Sequence, residues 1–527
     1  MKRFLAALAM LAPLAQPVAA QTSGGTITSV LHSDPTGLVL AFPSNGPAQL
    51  VASKIYEGLV SYSRDLKPQP SLARSWTVSP DGLRYEFKLR TGVKWSDGAP
   101  FSSEDVVFSL GKMLPATSVG ARQALKEVAS IEAPDVETVV VTLKRPVPYF
   151  LMSLPAVQVP MMPKHVYDGG DYLKNPANAT PIGTGPFKLE QWRRGAFIRL
   201  VRNPHYWQPG RPRLDGVTFR VIPDAASRAI ALETGSIQVA SSLDLSSMDI
   251  RRFRASPEFD STTKGWEYLS PISKLEVNWR KPQLANVEVR RAMYYAIDRD
   301  FIVDRIWEKI GKVATGPMAS AIPFYIKDTP QYPFDSAKAK ELLDKAGYKA
   351  GPNGFRVDQA GTPLKVNLLP LPGDERYSRL AEYLREAWKA VGIDVTLQAS
   401  DMAGWESRLK NWDFDVAITN LSQYGDPALG IRRYFDSENI QKGTLFTNTS
   451  GYSNPQVDAW FAEANGEVDE QKRAELYARI QRKLAEDVAM IWLFETQYLT
   501  IWNNKVHALI NSGFGPRGAW EDAWIEK

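Results

Sequence analysis

The side chains able to do chemistry are few and scattered. Four histidines, His32, His165, His205 and His507, stand far apart, and none has a partner at the helical spacing that holds zinc. The 527-residue chain has no cysteine, which removes disulfides, thiolate metal sites and cysteine nucleophiles together. It also lacks the GxSxG elbow, the GxxxxGK[ST] phosphate loop and the GxGxxG dinucleotide fingerprint. Gly183, Thr184 and Gly185 come nearest, but Pro186 follows them, so they read as a tight turn between strands. Asp413 and Asp415 share one strand face, a spacing that chance supplies in a chain this long. Hydrolysis by two carboxyls distant in sequence is the chemistry left open. The sequence otherwise implies no catalytic residue, no metal site and no cofactor, and points to recognition instead of reaction.

Recognition needs loops on a rigid frame, and the clearest frame lies between Lys365 and Asn420. A strand KVNLLPL leads to a helix from about Glu375 to Ala390, which Gly392 stops, and IDVTLQ follows as a second strand. Ser400 is expected to cap a short helix carrying Trp405, and DFDVAITN reads as a third strand. This β-α-β-α-β unit predicts a parallel sheet with right-handed crossovers. Ligands of such sheets sit beyond the carboxyl ends of the strands, here the loops Pro372 to Arg376, Ser400 to Trp405 and Leu421 to Asp426.

Elsewhere TITSVL, residues 26–31, alternates like a strand, and a helix is expected from about Ala48 to Tyr56. Tyr85, Phe87 and Leu89 recur at period two between Asp81-Gly82 and Asp97-Gly98, the pattern of a hairpin. Helix starts are marked at Ser102, with Asp105 three residues on, and at Asp335. A further helix is read over VRRAMYYAIDRDFIVDRIW, and one from about Asp469 to Glu486. No repeat of 20 to 50 residues and no low-complexity linker divides the chain, so its domains are expected to be joined by more than one crossing.

The first 20 residues carry Lys2 and Arg3, an apolar run from Phe4 to about Ala15, and small residues at Val18 and Ala20. This is the pattern of an export signal cut before Gln21, and the apolar run is too short to span a bilayer. With no cysteine after it, lipid anchoring is excluded, and a periplasmic location free in solution is expected. Removing Lys2 and Arg3 from the 63 basic residues leaves 61 against 58 acidic ones, a net charge near +3. That gives no support for nucleic acid as a partner. Length predicts two or three domains, and 15 Trp, 20 Tyr and 21 Phe exceed what cores alone require, leaving aromatics for a ligand cleft.

Several segments resemble the peptide and nickel family of extracellular solute-binding proteins of ATP-binding-cassette (ABC) importers. The likeness runs through IYEGLVSYSRDLKPQPSLARSWTVSPDGLRYEFKLRTGVKWSDGAPFSSEDVVFSL (55–110), PIGTGPFKLEQW (181–192), RNPHYW (202–207), VRRAMYYAIDR (289–299), GYSNPQVDAWFAEA (451–464) and the closing DAWIEK. The resemblance implies an α/β, two-lobed periplasmic binding protein fold with an additional accessory domain, three domains in all. Residues 21–57, 181–270 and 500–527 would form lobe I, residues 58–180 the accessory domain and residues 271–499 lobe II. It implies a monomer that captures a small polar, peptide-like and anionic solute and delivers it to membrane permease subunits, with no enzymatic step. A secreted hydrolase, or a signalling or chaperone-like receptor on the same fold, are the alternatives.

The resemblance also implies where the ligand meets the chain. Peptide binders place an aspartate after the third strand to pair with an ammonium group; the matching position in TNLSQYGDP is Gln423, with Asn420 and Tyr424 beside it. Loss of that charge-assisted bond, worth roughly 1.5–3 kcal/mol, makes ordinary peptides less certain cargo. Arg376, in the loop after the first strand, corresponds to a carboxylate-binding arginine of dipeptide binders, and Arg122 to a cleft arginine of nickel binders. Arg376, Trp405, Asn420, Gln423, Tyr424 and Arg122 are therefore the expected ligand-binding residues, with Arg432 and Arg433 following the third loop. N-terminal sequencing of protein from the periplasm is expected to begin at or near Gln21; Met1 on membrane-bound protein would contradict the export reading.

Overall fold

A computed structural model describes residues 24–351 and 353–526; the expected export signal and its cleavage point lie outside the described residues. Three sheets carry the fold. The largest has seven strands in the order Phe259–Thr262, Thr500–Asn503, Val239–Ser241, Thr26–Leu31, Gly216–Val221, Phe197–Arg202 and Phe187–Arg193. TITSVL lies at its centre and runs parallel to both neighbours, with Thr26 opposite Gly216 and Ser29 opposite Val239.

The second sheet has six strands: Gly311–Val313, Ile491–Thr496, Ile272–Val277, Val416–Leu421, Lys365–Leu369 and Asp394–Leu397. Its last three are the predicted parallel unit, with Lys365 opposite Asp394 and Leu368 opposite Val416. Ile272–Val277 joins antiparallel on the other side, so the sheet is mixed. The helix Glu375–Lys389 buries Tyr377, Leu380, Ala381, Leu384 and Trp388 at helical spacing against this sheet, and Asp374 caps its start. The next helix, Met402–Lys410, is capped by Asp401, one residue beyond the expected Ser400.

A four-stranded antiparallel sheet, Ala73–Val78, Arg84–Leu89, Thr138–Leu143 and Val128–Asp135, forms the third unit. Tyr85, Phe87 and Leu89 point inward as their period requires. Their hairpin partner is Ala73–Val78, across the turn in which Gly82 takes φ +68°. Beside the Asp97-Gly98 turn only Lys94 and Pro100 form an isolated bridge. Ser102 and Asp105 form the expected capping box, and Asp335 and Asp469 cap Ser336–Lys345 and Glu470–Glu486. The long helix expected over VRRAMYYAIDRDFIVDRIW is broken: Val287–Tyr295 ends before Asp298, which caps a new short turn.

The chain passes between the two large sheets twice, from Thr262 to Ile272 and from Thr496 to Thr500. These crossings touch, the Thr496 N–H donating to the Pro271 carbonyl at 2.8 Å.

Three of the short sequence motifs converge on one stretch of backbone, residues 54–59. A Cβ on Gly183 would lie 2.0 Å from the Ile55 carbonyl oxygen and one on Gly185 2.7 Å from the same atom, so close approach excludes any larger residue. Gly185 and Phe187 donate to the Ile55 and Lys54 carbonyls at 2.9 and 3.1 Å, and Asn203 donates to Gly185 O at 2.8 Å. Glu57, 8% exposed, accepts from Trp207 Nε1 at 3.2 and 3.1 Å and from the Tyr206 hydroxyl at 3.4 Å.

Burial pushes the Glu57 carboxyl up to about 8, against the opposing pull of the Trp207 indole, with nearby Glu521 adding to the rise. The folded protein thus holds a proton that the unfolded chain has released above its ordinary carboxyl range. Stability contributed by this proton is full below about pH 4.3 and is lost as pH climbs toward 8. Urea unfolding at pH 5 and pH 8 is expected to show a smaller decline for Glu57→Gln than for the native protein, by roughly 2–4 kcal/mol. Equal declines would show that Glu57 titrates normally.

Candidate ligand-binding cleft

Where the three sheet units meet lies a cavity of about 380 Å³. Gly46 and Gln49 line it from the first helix, Trp266, Tyr268 and Leu269 from the crossing after Thr262, Gly513, Phe514 and Arg517 from the loop near the C-terminal end, and Val157 and Gln158 from the segment after Thr138–Leu143. Ser422 and Tyr424 come from the loop after strand Val416–Leu421, at the carboxyl edge where a parallel unit presents its ligand loops.

Aromatic rings form the walls. Tyr268 stacks on Phe514 with ring centres 4.4 Å apart and meets the edge of Tyr424 at 5.8 Å; Trp266 packs edge-on to Tyr498 at 5.0 Å. The Gln158 amide donates to the Tyr268 hydroxyl at 3.1 Å, tying the small unit to this wall. Tyr424 takes φ +53°, a left-handed conformation that bulky side chains seldom adopt, and Gly425 follows it at φ +75°. The Arg433 guanidinium lies over the Tyr424 ring at 5.0 Å.

The expected ligand residues divide. Tyr424 lines the cavity. Arg376 sits in the first turn of Glu375–Lys389, 8% exposed, and its guanidinium is already engaged: Nη2 lies 2.5 Å from Asp374 Oδ2, and Nε donates to both Asp374 oxygens at 3.0 Å. Asn420 is nearby, donating to the Tyr377 hydroxyl at 2.6 Å, while its own buried Oδ1 has no partner among the described residues. Tyr498 stands within electrostatic reach of Arg376, Asp374, Tyr424 and Arg517, and so links this group to the cavity.

The structure places the other three away from this cavity. Trp405, 3% exposed, packs with Leu369, Leu409, Phe414 and Ala417 in a core beneath the sheet, because the helix capped at Asp401 turns that face inward. Gln423, 0% exposed, points away from the cavity its neighbours line: its N–H donates to Leu269 O at 2.8 Å and its Nε2 to Pro317 O at 3.1 Å. It serves as a strut between loops. Arg122 is exposed on the short helix Val119–Ala124, where Nε donates to Pro115 O at 2.8 Å, and it does not line this cavity.

Sequence reasoning missed Trp266, Tyr268, Tyr498, Phe514 and Arg517. All but Tyr498 flank the seven-stranded sheet's end of the cleft, and no spacing rule connects residues more than 200 positions apart. The aromatic and Arg-bearing turn NSGFGPRG, residues 511–518, was the one local signal.

This geometry is that of a binding cleft between domains, and comparison with known proteins decides its class. The family described as bacterial extracellular solute-binding proteins, family 5 Middle, matches residues 67–442. The chain belongs to this family.

Family 5 relatives cover nearly all of the chain. The glutathione-binding protein GsiB of Escherichia coli K12 is 30% identical over 458 residues, 84% of this chain and 82% of that protein. Heme-binding protein A of Haemophilus influenzae is 27% identical over 525 residues, 95% and 92% of the two chains. The crystal structure of NikA from Brucella suis in complex with Fe(III)-EDTA superposes with a TM-score of 0.83 at 26% identity, over 95% of this chain and 100% of the other. This family 5 protein is the solute-binding component of an ABC importer, with the two-lobed α/β fold expected of it.

Trp405→Ala is expected to lower stability by about 3–5 kcal/mol, as for other large-to-small core changes, without altering the affinity of the ligand retained by the purified protein. Arg376→Ala is expected to lower stability as well, since it strands the Asp374 carboxylate. Chemical denaturation beside calorimetry separates the two effects; lost affinity at native stability would return either residue to the site.

Proposed function

We propose that this family 5 protein works in the periplasm as a monomer, freed from its export signal, and carries a small peptide-like solute in the cavity between the three units. The observation that carries the reading is the cavity's construction. Its walls come from residues 46–49 and 266–269 with 513–517, from 157–158 and from 422–424, so a ligand there touches all three units at once. Such a ligand binds the closed arrangement better than the open one and draws the population toward closure.

We place the unit boundaries at residues 21–57 with 181–270 and 500–527, at 58–180 and at 271–499. Strand membership supports this division: every strand of the seven-stranded sheet falls in the first set, every strand of the four-stranded sheet in the second, and every strand of the six-stranded sheet in the third. The peptide-like cargo is supported by cavity size and by relatives named for binding glutathione and, in the Helicobacter pylori DppA structure, a peptide.

Native mass spectrometry of protein purified from its own host is expected to show one retained organic solute of peptide size. Small-angle scattering is expected to give a smaller radius of gyration with that solute than after it is stripped. An unchanged profile at saturation would count against closure around the ligand.

A further inference from the structure

The least exposed arginines among the described residues are all satisfied, and the contrast lies in the cleft. Arg290, 2% exposed, donates to the carbonyls of Val488, Leu284, Ala285 and Asp487. Arg228 and Arg299 are likewise held by carbonyl and hydroxyl oxygens, and Arg356, Arg376 and Arg473 each pair with an aspartate. A guanidinium stays charged and carries five donors, so burial without acceptors is costly, and a folded chain supplies acceptors wherever it closes over one.

Arg517 has none. It is half-buried on the wall of the cleft, and its guanidinium makes no hydrogen bond and no ion pair among the described residues. The groups within its electrostatic reach are the neutral phenols of Tyr498 and Tyr424, and Lys54, another cation. The cleft also meets two further cavities at this side chain, one against Thr26–Leu31 and one of about 520 Å³ beside Glu57, so space for a ligand lies on more than one side of it. Gly46 leaves room there as well: a Cβ at that position would stand 3.7 Å from Arg517 Nη2.

We infer that Arg517 is the anion anchor of the ligand site, and that the solute is an organic acid whose carboxylate completes this guanidinium from inside the cleft. This deepens the reading of the cavity as the ligand site and rests on it. Arg376, the arginine that sequence pattern favours, already has its charge balanced and its donors engaged by Asp374. The planar fork of Arg517 suits a carboxylate bidentately, and the ring faces of Tyr424 and Tyr498 flank that contact.

The test uses ligand-stripped mature protein, calorimetry and two probe pairs: tri-alanine against its C-terminal amide, and glutarate against its diamide. Native protein is expected to bind at least one acid tenfold or more tightly than its amide. Arg517→Ala should abolish that preference with an unchanged melting temperature, and Arg517→Lys, which keeps the charge without the fork, should restore part of it. Equal binding of acid and amide, or a preference that survives Arg517→Ala, would overturn the assignment. An Arg517-dependent preference for glutarate with no binding of tri-alanine would retain the anchor and remove the peptide-like reading. No acid-dependent binding by either probe would overturn the anchor itself.

Discussion

Residues 54–59 are held on every side by backbone bonds, and both halves of the small-unit attachment depend on them. Gly185 and Phe187 bind the carbonyls of 55 and 54, Met161 donates to Glu57 O at 2.9 Å, and Ala73 donates to Leu59 O at 2.9 Å. The first two bonds fasten the edge of the seven-stranded sheet; the last two fasten the four-stranded unit. Neither sheet's place is set by its own hydrophobic face alone. Glycine at 183 and 185 is the condition for this contact, since any side chain there would occupy the volume of the Ile55 peptide. Lys54 reinforces it from below, its ammonium donating to the Pro516 and Gly518 carbonyls at 2.6 Å each and lying 4.3 Å from the Trp520 ring centre. Burial lowers the affinity of this lysine for its proton, and the two short bonds answer that cost.

The same segment also braces the cleft wall. Pro516 and Gly518 flank Arg517, so the loop carrying the unpaired guanidinium is clamped through Lys54 to the segment that organises two sheets. Preorganisation of this kind keeps the entropy cost of ligand capture low, because the loop has little freedom left to lose. Charge, in contrast, is left unbalanced. Chains bury ionised groups with their partners in place, and the six well-buried arginines named above follow that rule. Arg517 departs from it, with no hydrogen bond or ion pair from its guanidinium to any described residue.

Much of the frame was legible in the sequence because its signals are local. Period-two alternation marked Thr26–Leu31 and Arg84–Leu89, and cap residues at Ser102 and Asp335 marked helix starts, with the start near Asp469 placed approximately. The parallel order of Lys365–Leu369, Asp394–Leu397 and Val416–Leu421 followed from alternation of strand and helix. The site was legible only in part. Of the loop residues read from the carboxyl edge Tyr424 lines the cavity, since topology fixes which loops face a cleft and not which side chains do. Trp405 packs into the core with Leu369, Leu409, Phe414 and Ala417, a contact that the spacing along its short helix does not reveal. Arg376 found its counter-ion two residues upstream, a local pairing that pattern analogy passes over. Arg517 lies more than 90 residues beyond Tyr424, and only tertiary contact makes them neighbours.

The two crossings between the large sheets bring a further consequence. Tyr268 and Trp266 lie on the first and Tyr498 on the second, so three of the rings that line or back the cleft sit on the segments of chain about which the proposed closure would turn. Substituting any of them to suit a new solute would alter the packing of the crossings along with the shape of the pocket. Divergence toward new cargo would then fall most freely on positions off the crossings, and Arg517, on the loop bonded through Lys54, is such a position.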